Sequence, residues 1–321
     1  MAGETPANPA TLAILRGGPR PALAFTLSDV MLAGIDLGGT QVRVALARSD
    51  GKLIASVKTK TPLLKTPQAM VDWAAAEIER HRRGQKVRSI TIAAPGPIDV
   101  KRGILVNPPN LPGWRNVPLA AMLRRATGAE VQVANDADMA GLGEFHRGAG
   151  RGTRNMVYIT WSTGVGGGLI IDGKLHRGAH GTAGEVGHMI IDPNGPLDQC
   201  GQRGCLEVFC GGANLARETG HPAAELFAAA ARGDKQAGMV VQRAARYMGM
   251  ALISLTNAID PELFVMGGGV THSWALVQPL MMETLRSSPF IKPARRPRLR
   301  RAHLGDRAGQ VGAVEWARIN Q

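Results

Sequence analysis

The stretch "GHMIIDPNGPLDQCGQRGC", residues 187–205, gathers His188, Asp198, Cys200 and Cys205 in one short segment. Imidazole nitrogen and thiolate sulfur are donors that zinc favours, and carboxylate oxygen is accepted beside them. Asp198 stands where a further cysteine would complete the set. The three cysteines of the chain, Cys200, Cys205 and Cys210, fall within eleven residues. An odd, clustered set beside a histidine suits a metal in a reducing compartment, the cytoplasm, better than a disulfide framework.

Two further groups could do chemistry. Asn135 and Asp136 end a strand and open a helix, where either can cap free amides. An aspartate in that place, facing a cleft, can instead take the proton from a hydroxyl that attacks phosphorus. Three glycine-rich turns each follow an apolar strand: Asp36 to Thr40 (DLGGT), Ser162 to Gly168 (STGVGGG) and Gly267 to Gly269. Glycines let backbone N–H groups approach phosphate oxygens closely, and threonine hydroxyls add donors. Each alone reads first as a tight hairpin turn. Together, with Asp36 opening the first, they suit a nucleotide cradle with a carboxylate available to hydrated magnesium. Glu185, His188 and Glu207, set among glycines, suit the hydroxyls of a polyol, or are surface turn residues.

These groups must be held by an α/β scaffold. "MLAGIDLGGTQVRVALARSDGKLIASVKT" reads as three strands joined by a Gly-Gly turn and an Asp-Gly hairpin. Met70, Trp73, Ala74 and Ile78 recur at helical spacing, as do Leu119, Met122, Leu123 and Ala126. Residues 87–96 and 130–136 read as further strands. The second half echoes the first: residues 155–175 repeat strand, glycine turn, strand and hairpin, and both hairpins end in "DGKL". A long helix is expected over about 236–258 and a strand over 262–270. Two such halves imply two lobes with a ligand cleft between them.

The 321 residues suffice for two ordinary cores, and 44% hydrophobic with 20% charged residues is a globular balance. No run approaches the roughly 18–20 apolar residues of a membrane span. The formal charge of +13 is spread along the chain except for "KPARRPRLRRAH" at 292–303. A solvated arginine-rich surface explains it without a specific nucleic-acid partner. Residues 1–30, rich in Ala, Pro and Gly, read as a disordered tail or as upstream sequence left by a misplaced start.

The ordered set "GIDLGGTQVRVAL", "APGPID", "NPPNLPGW", "VANDADMAGLGE", "STGVGGGLIIDGKLHRGAHGTAGEVGHMIIDPNG", "CGQRGCLEVFCGG", "VMGGGV" and "LGDRAGQVGA" resembles the ROK family of repressors and sugar kinases, over about 31–320. The resemblance implies a two-lobed ribonuclease H-like or actin-like sugar kinase fold. Its lobes would be 31–136, joined by a C-terminal helix 308–321, and 137–307 with the zinc loop. It implies ATP-dependent phosphorylation of a hexose 6-hydroxyl, with glucose first among acceptors. N-acetylglucosamine, N-acetylmannosamine and fructose are the alternatives within the family.

Asp136 would be the base, and Asn110, Asn135, Glu185, His188 and Glu207 would bind the other hydroxyls. Gly38, Gly39, Thr40, Thr163, Gly164 and Gly166 would hold the ATP phosphates. Gly267, Gly268 and Gly269 would approach the adenosine, and Asp36 would assist magnesium through water. Family members usually hold a structural zinc through one His and three Cys, so His188, Asp198, Cys200 and Cys205 would hold it here, with Cys210 a lesser candidate. Many members carry Lys where this chain has Gln41, a difference expected to matter little. A sugar-responsive regulator would need a winged helix-turn-helix, for which 30 residues are too few. A polyphosphate donor is disfavoured because relatives that use it usually lack the cysteine loop. A homodimer or homotetramer is implied.

Overall fold

The computed structural model describes residues 30–320. The extension read over 1–30 therefore lies outside the described residues, apart from Val30. Strand β1 (Val30–Leu37) turns through Gly38 and Gly39 into β2 (Gln41–Arg48), which pairs with β3 (Leu53–Lys60). Helix α1 (Pro67–His81) then crosses to β4 (Lys86–Ala94). The short pair β5 (Ile98–Asp99) and β6 (Ile104–Leu105) precedes α2 (Leu119–Thr127) and β7 (Glu130–Asn135). The sheet order is β3-β2-β1-β4-β7, antiparallel across the first three strands and parallel from β1 to β7. Central β1 is buried almost throughout, as a strand covered on both faces must be.

Helix α3 (Asp136–Arg147) opens the second half. It leads into β8 (Met156–Trp161), β9 (Val165–Ile171) and β10 (Lys174–His176). Short helices α4 (Leu206–Cys210), α5 (Gly212–Thr219) and α6 (Ala223–Ala231) precede the long α7 (Lys235–Ile259). Then come β11 (Leu263–Gly267), α8 (Trp274–Ser287), β12 (Arg298–Arg301) and α9 (Ala308–Ile319). The second sheet, β10-β9-β8-β11-β12, repeats the topology of the first: an antiparallel meander extended by two parallel strands. Both meanders carry an Asp-Gly pair in the hairpin loop, within residues 49–52 in the first and as the two-residue turn itself in the second. At the second, Asp172 and Gly173 have φ of 51° and 76°, the left-handed geometry that such hairpins require.

Each sheet has its own apolar core. Met31, Ile35, Ile90 and Met70 belong to the first, and Val157, Trp161, Phe264 and Met248 to the second. Helix α9 packs on β1, β2 and β4, and also against α3, which itself lies on β8 and β9. The α3–α9 contact is made by small residues. A Cβ added at Gly312 would lie 1.6 Å from the Met139 carbonyl oxygen, so only glycine permits this approach.

The chain passes between the sheets twice, at β7–α3 and at β12–α9. Glu144 on α3, fully buried, ties the two crossings together. Its Oε1 accepts from Leu304 N at 2.7 Å, and its Oε2 from His303 N at 3.0 Å and Ala149 N at 2.8 Å.

The basic segment 292–303, read as a solvated surface, contains β12, whose arginines flank one half-buried leucine, Leu299. It is an edge strand, where outward-facing charge discourages pairing with other chains.

Candidate active site

The two crossings, the residues Asp36 and Ser162 that open the first two glycine turns, and the third glycine turn itself line a cleft of about 630 Å³. Asp36, Asp136, Ser162, Gly267, Gly268 and Gly269 line it, with Arg43, Arg301 and Asp306. A second hollow of about 560 Å³ continues from it past Ser162 and Gly269 and is lined by Thr163, Ala223, Ala224, Phe227 and Val270. The first is polar and the second mainly apolar, the pairing that a phosphate chain and an attached aromatic base require.

Local structure explains the placement of the paired residues at the first crossing. Asn135 caps α3: its Oδ1 accepts from Ala137 N at 2.8 Å and Asp138 N at 3.1 Å. With that oxygen engaged by the helix, its side-chain amide is the group left for a ligand. Asp136 is the first helical residue, and its Oδ1 accepts from Ala137 N at 2.8 Å. Burial pushes its carboxyl up to about 7, helped by the neighbouring charges of Asp36 and Glu185 and opposed by the Ala137 N–H. Asp36 is raised to about 6, again by burial, with Arg43 pulling the other way. Two carboxylates that disfavour each other's ionisation leave one able to hold and release a proton near neutrality.

Asp138, also buried, rises to about 7 through burial, opposed by Arg177 and supported by Glu185 and Asp136. Arg177 Nε lies 3.8 Å from Asp138 Oδ2, beyond hydrogen-bond length, while its guanidinium rests 5.4 Å from the Trp316 ring centroid.

The turn residues occupy close quarters. A Cβ on Gly39 would lie 2.5 Å from the Asn110 carbonyl oxygen, so Asn110 sits against the first glycine turn, exposed. A Cβ on Gly164 would lie 2.3 Å from Glu207 Oε2, and that oxygen accepts from Val165 N at 2.6 Å. Glu207, assigned to a sugar hydroxyl by resemblance, thus also braces the second glycine turn. Thr40 and Thr163 are exposed at their turns, and Glu185 and His188 are exposed on the segment leading to the cysteines.

The four expected metal ligands do come together: one donor atom from each of His188, Asp198, Cys200 and Cys205 lies within 4.8 Å of the others. The Cys200 and Cys205 sulfurs are 3.6 Å apart, close to the roughly 3.8 Å that tetrahedral Zn–S bonds impose. His188 Nδ1 is 3.5 Å from Asp198 Oδ2. Both Asp198 oxygens are buried without a hydrogen bond of good geometry. Burial pushes its carboxyl up, but the Cys200 thiol, the Gln199 and Cys200 N–H groups and His188 outweigh it and hold the carboxyl below the usual range. A carboxylate held ionised beside an imidazole and two thiols is a donor set that a cation fits. Burial pushes the Cys205 thiol up to about 11, with Cys200 adding to it, so a metal would have to draw the proton off. Cys210 is not part of this cluster: it is buried in the second core and its Sγ donates to Ala244 O at 3.2 Å.

Arg43, Asp306, Glu144 and the Phe227 hollow carry no assignment from the sequence. Gln41, expected to matter little, accepts from Arg43 Nη2 at 2.7 Å. The register that sets Arg43 opposite Asp36 across the glycine turn could have exposed the pair; its contact with Asp306 has no local signal.

The family model described as "ROK family" matches residues 32–320. A glucokinase from Thermotoga maritima is 35% identical over 77% of this chain and 84% of its own length. Among solved structures, a ROK hexokinase from Thermus thermophilus superposes with a TM-score of 0.80 at 36% identity, covering 90% of this chain and 98% of the other. A ROK family glucokinase from Streptomyces griseus, in complex with glucose and AMPPNP, gives 0.75 at 32%, covering 90% and 99%. Among the described residues, no helix is long and apolar enough to cross a membrane.

Proposed function

This chain belongs to the ROK family, and we propose that it is a hexose kinase that transfers the terminal phosphoryl group of ATP to the 6-hydroxyl of glucose. The observation that carries this is Asp136: a carboxylate raised to about 7 in a cleft that Asp36, Ser162 and the glycine turn 267–269 also line. Ionised Asp136 takes the proton from the sugar O6–H. The oxygen forms a bond to the terminal phosphorus, and the bond from that phosphorus to the oxygen bridging to ADP breaks.

In-line transfer of this kind is mainly placement and charge stabilisation. Gly38, Gly39 and Thr40 and the turn of Thr163, Gly164 and Gly166 cradle the phosphates. Gly267 and Gly268 line the cleft, and Gly269 joins it to the apolar hollow with Phe227, where the adenine is seated. Magnesium would neutralise charge on the phosphates, and Asp36 is the carboxylate that would assist it through water.

Asn110, the Asn135 amide, Glu185, His188 and Glu207 bind the remaining hydroxyls. One oxygen of Glu207 holds Val165 N and the other is left for the sugar, so acceptor and phosphate turn share one side chain. Zinc, held by His188, Asp198, Cys200 and Cys205, would be structural: it would fix the loop and leave the other ring nitrogen of His188 for a hydroxyl. We read the lobes as 31–136 with the C-terminal helix and 137–307, and the protein as a cytoplasmic homodimer or homotetramer.

The test is ADP formation from ATP with glucose, N-acetylglucosamine, N-acetylmannosamine, mannose or fructose, with polyphosphate as a second donor. Turnover is expected on glucose with ATP. Turnover on another sugar alone overturns the glucose assignment and keeps the chemistry; no turnover on any sugar, from protein that binds one, overturns the kinase reading.

A further inference from the structure

We infer that Arg43 is a nucleotide-binding residue: its guanidinium, held at rest by Gln41, Asp36 and Asp306, turns to the ATP phosphates. The inference rests on the kinase reading above. Arg43 is the cross-strand partner of Asp36, so both side chains leave the sheet on the same face, beneath the Gly38–Gly39 turn. That face opens on the cleft, and only 16% of the Arg43 side chain is exposed.

Charge balance makes the case. The cleft is lined by three carboxylates, Asp36, Asp136 and Asp306, a poor wall for a triphosphate carrying several negative charges. The glycine turns offer N–H groups and hydroxyls, and none of them contains a lysine. Arg43 and Arg301 are the arginines on the wall, and Arg43 is the one beside Asp36.

Its contacts are of the kind that can be exchanged. Nη1 is 3.4 Å from Asp36 Oδ2, at the long end for a charged pair. Nη2 reaches Asp306 Oδ2 at 3.1 Å, but the Asp306 side chain is 85% exposed, and a solvated carboxylate gives up such a partner at little cost. The planar guanidinium fork matches two phosphate oxygens better than it matches these two separate carboxylates. Gln41 accepts from the same nitrogen without adding charge. Asp306 therefore competes with nucleotide for Arg43, which gives two substitutions effects of opposite sign.

The experiment is calorimetric binding of AMPPNP with magnesium, beside KM for ATP and for glucose, in wild type, Arg43→Gln, Arg43→Lys and Asp306→Asn. Arg43→Gln should weaken AMPPNP and raise KM for ATP roughly 10- to 100-fold, the scale of a lost charge-assisted hydrogen bond. KM for glucose should change far less than KM for ATP, since Arg43 is assigned no contact with the sugar. Arg43→Lys should recover part of the loss as a point charge without the fork. Asp306→Asn should tighten AMPPNP roughly 2- to 5-fold, the worth of an exposed pair removed.

The inference is overturned if Arg43→Gln binds AMPPNP like wild type, or if Asp306→Asn weakens binding as Arg43→Gln does. It is also overturned if both Arg43 variants lose glucose and nucleotide together, because the cluster is then merely structural. Failure of the kinase reading looks different: wild type itself would neither bind AMPPNP nor turn over any sugar.

Discussion

Replacing Asp136 with Asn should slow the enzyme and strengthen the fold, and the second effect has a pH signature. In the folded chain the Asp136 carboxyl is raised from 3.8 to about 7, chiefly by burial and then by Asp36. A carboxyl raised on folding binds its proton more tightly in the folded state. It therefore weakens the fold as pH climbs above its unfolded value, and its whole cost is present above its folded value. A shift of roughly three units corresponds to about 4 kcal/mol as a ceiling. The asparagine removes that cost while keeping an oxygen for Ala137 N. The gain should approach the ceiling at pH 8, shrink to under about 2 kcal/mol at pH 5 and fall to about half a kcal/mol at pH 4. In a chain of this length each kcal/mol moves the melting midpoint by roughly 1–2 °C, so about 5 °C is expected at pH 8. Meanwhile kcat on glucose should fall roughly 10²-fold or more, the scale of a missing general base. The assay is calorimetric melting of both proteins across pH 4–8, beside kcat. A variant no more stable than wild type at pH 8, or a gain that does not change with pH, would refute the burial argument.

The same value sets the activity profile: kcat/KM for glucose should rise with pH through a limb near 7, because the base works only when ionised, and a limb below about 5 would show that Asp136 is not so perturbed. Purification without chelator should yield about one zinc per chain by elemental analysis. Asp198→Ala should lose most of it and raise KM for glucose before it touches kcat, whereas Asp198→Cys should keep the metal; a wild type with well under one zinc per chain sinks the site. Glu144→Gln replaces an acceptor oxygen with a donor amide and leaves at least one buried N–H at the crossings unpaired. It should cost about 2–3 kcal/mol in urea unfolding, and an unchanged midpoint would count against the clamp.

Where structure is dictated by neighbours in sequence, it was legible. Alternating apolar residues on either side of Asp50–Gly51 and Asp172–Gly173 specify both meanders: the second turn is a two-residue left-handed one, and the first a four-residue loop closed by the left-handed Gly51. The expected long helix at 236–258 appears as Lys235–Ile259, its apolar face buried against the second sheet. Elements without a local signature were missed. Strand β12 is mostly arginine, so its pairing with β11 rather than its own pattern makes it a strand. Helix α8 carries Pro279 within it, and proline argues against a helix unless packing compensates; Val277, Met281 and Leu285 supply that packing.

The candidate site divides along the same line. His188, Asp198, Cys200 and Cys205 lie within 18 residues of one another, and their convergence needed little more than a turn to bring the donors together. The phosphate cleft is built otherwise. Arg43 meets Asp306 across 263 residues, and Glu144 holds Leu304 across 160. These bonds join α3 and β2 to the second crossing, and they exist only because α9 returns to the first sheet and packs against α3. Asp136 shows why this matters for chemistry. Its residue type and place at the end of β7 are local facts, and they admit a helix-capping role as readily as a base. Its raised carboxyl is not local: burial, Asp36 and Glu185 produce it, from three different parts of the chain. A titration poised at neutrality is thus a property of the assembled cleft, and the dipeptide at 135–136 could carry it only as one of two readings.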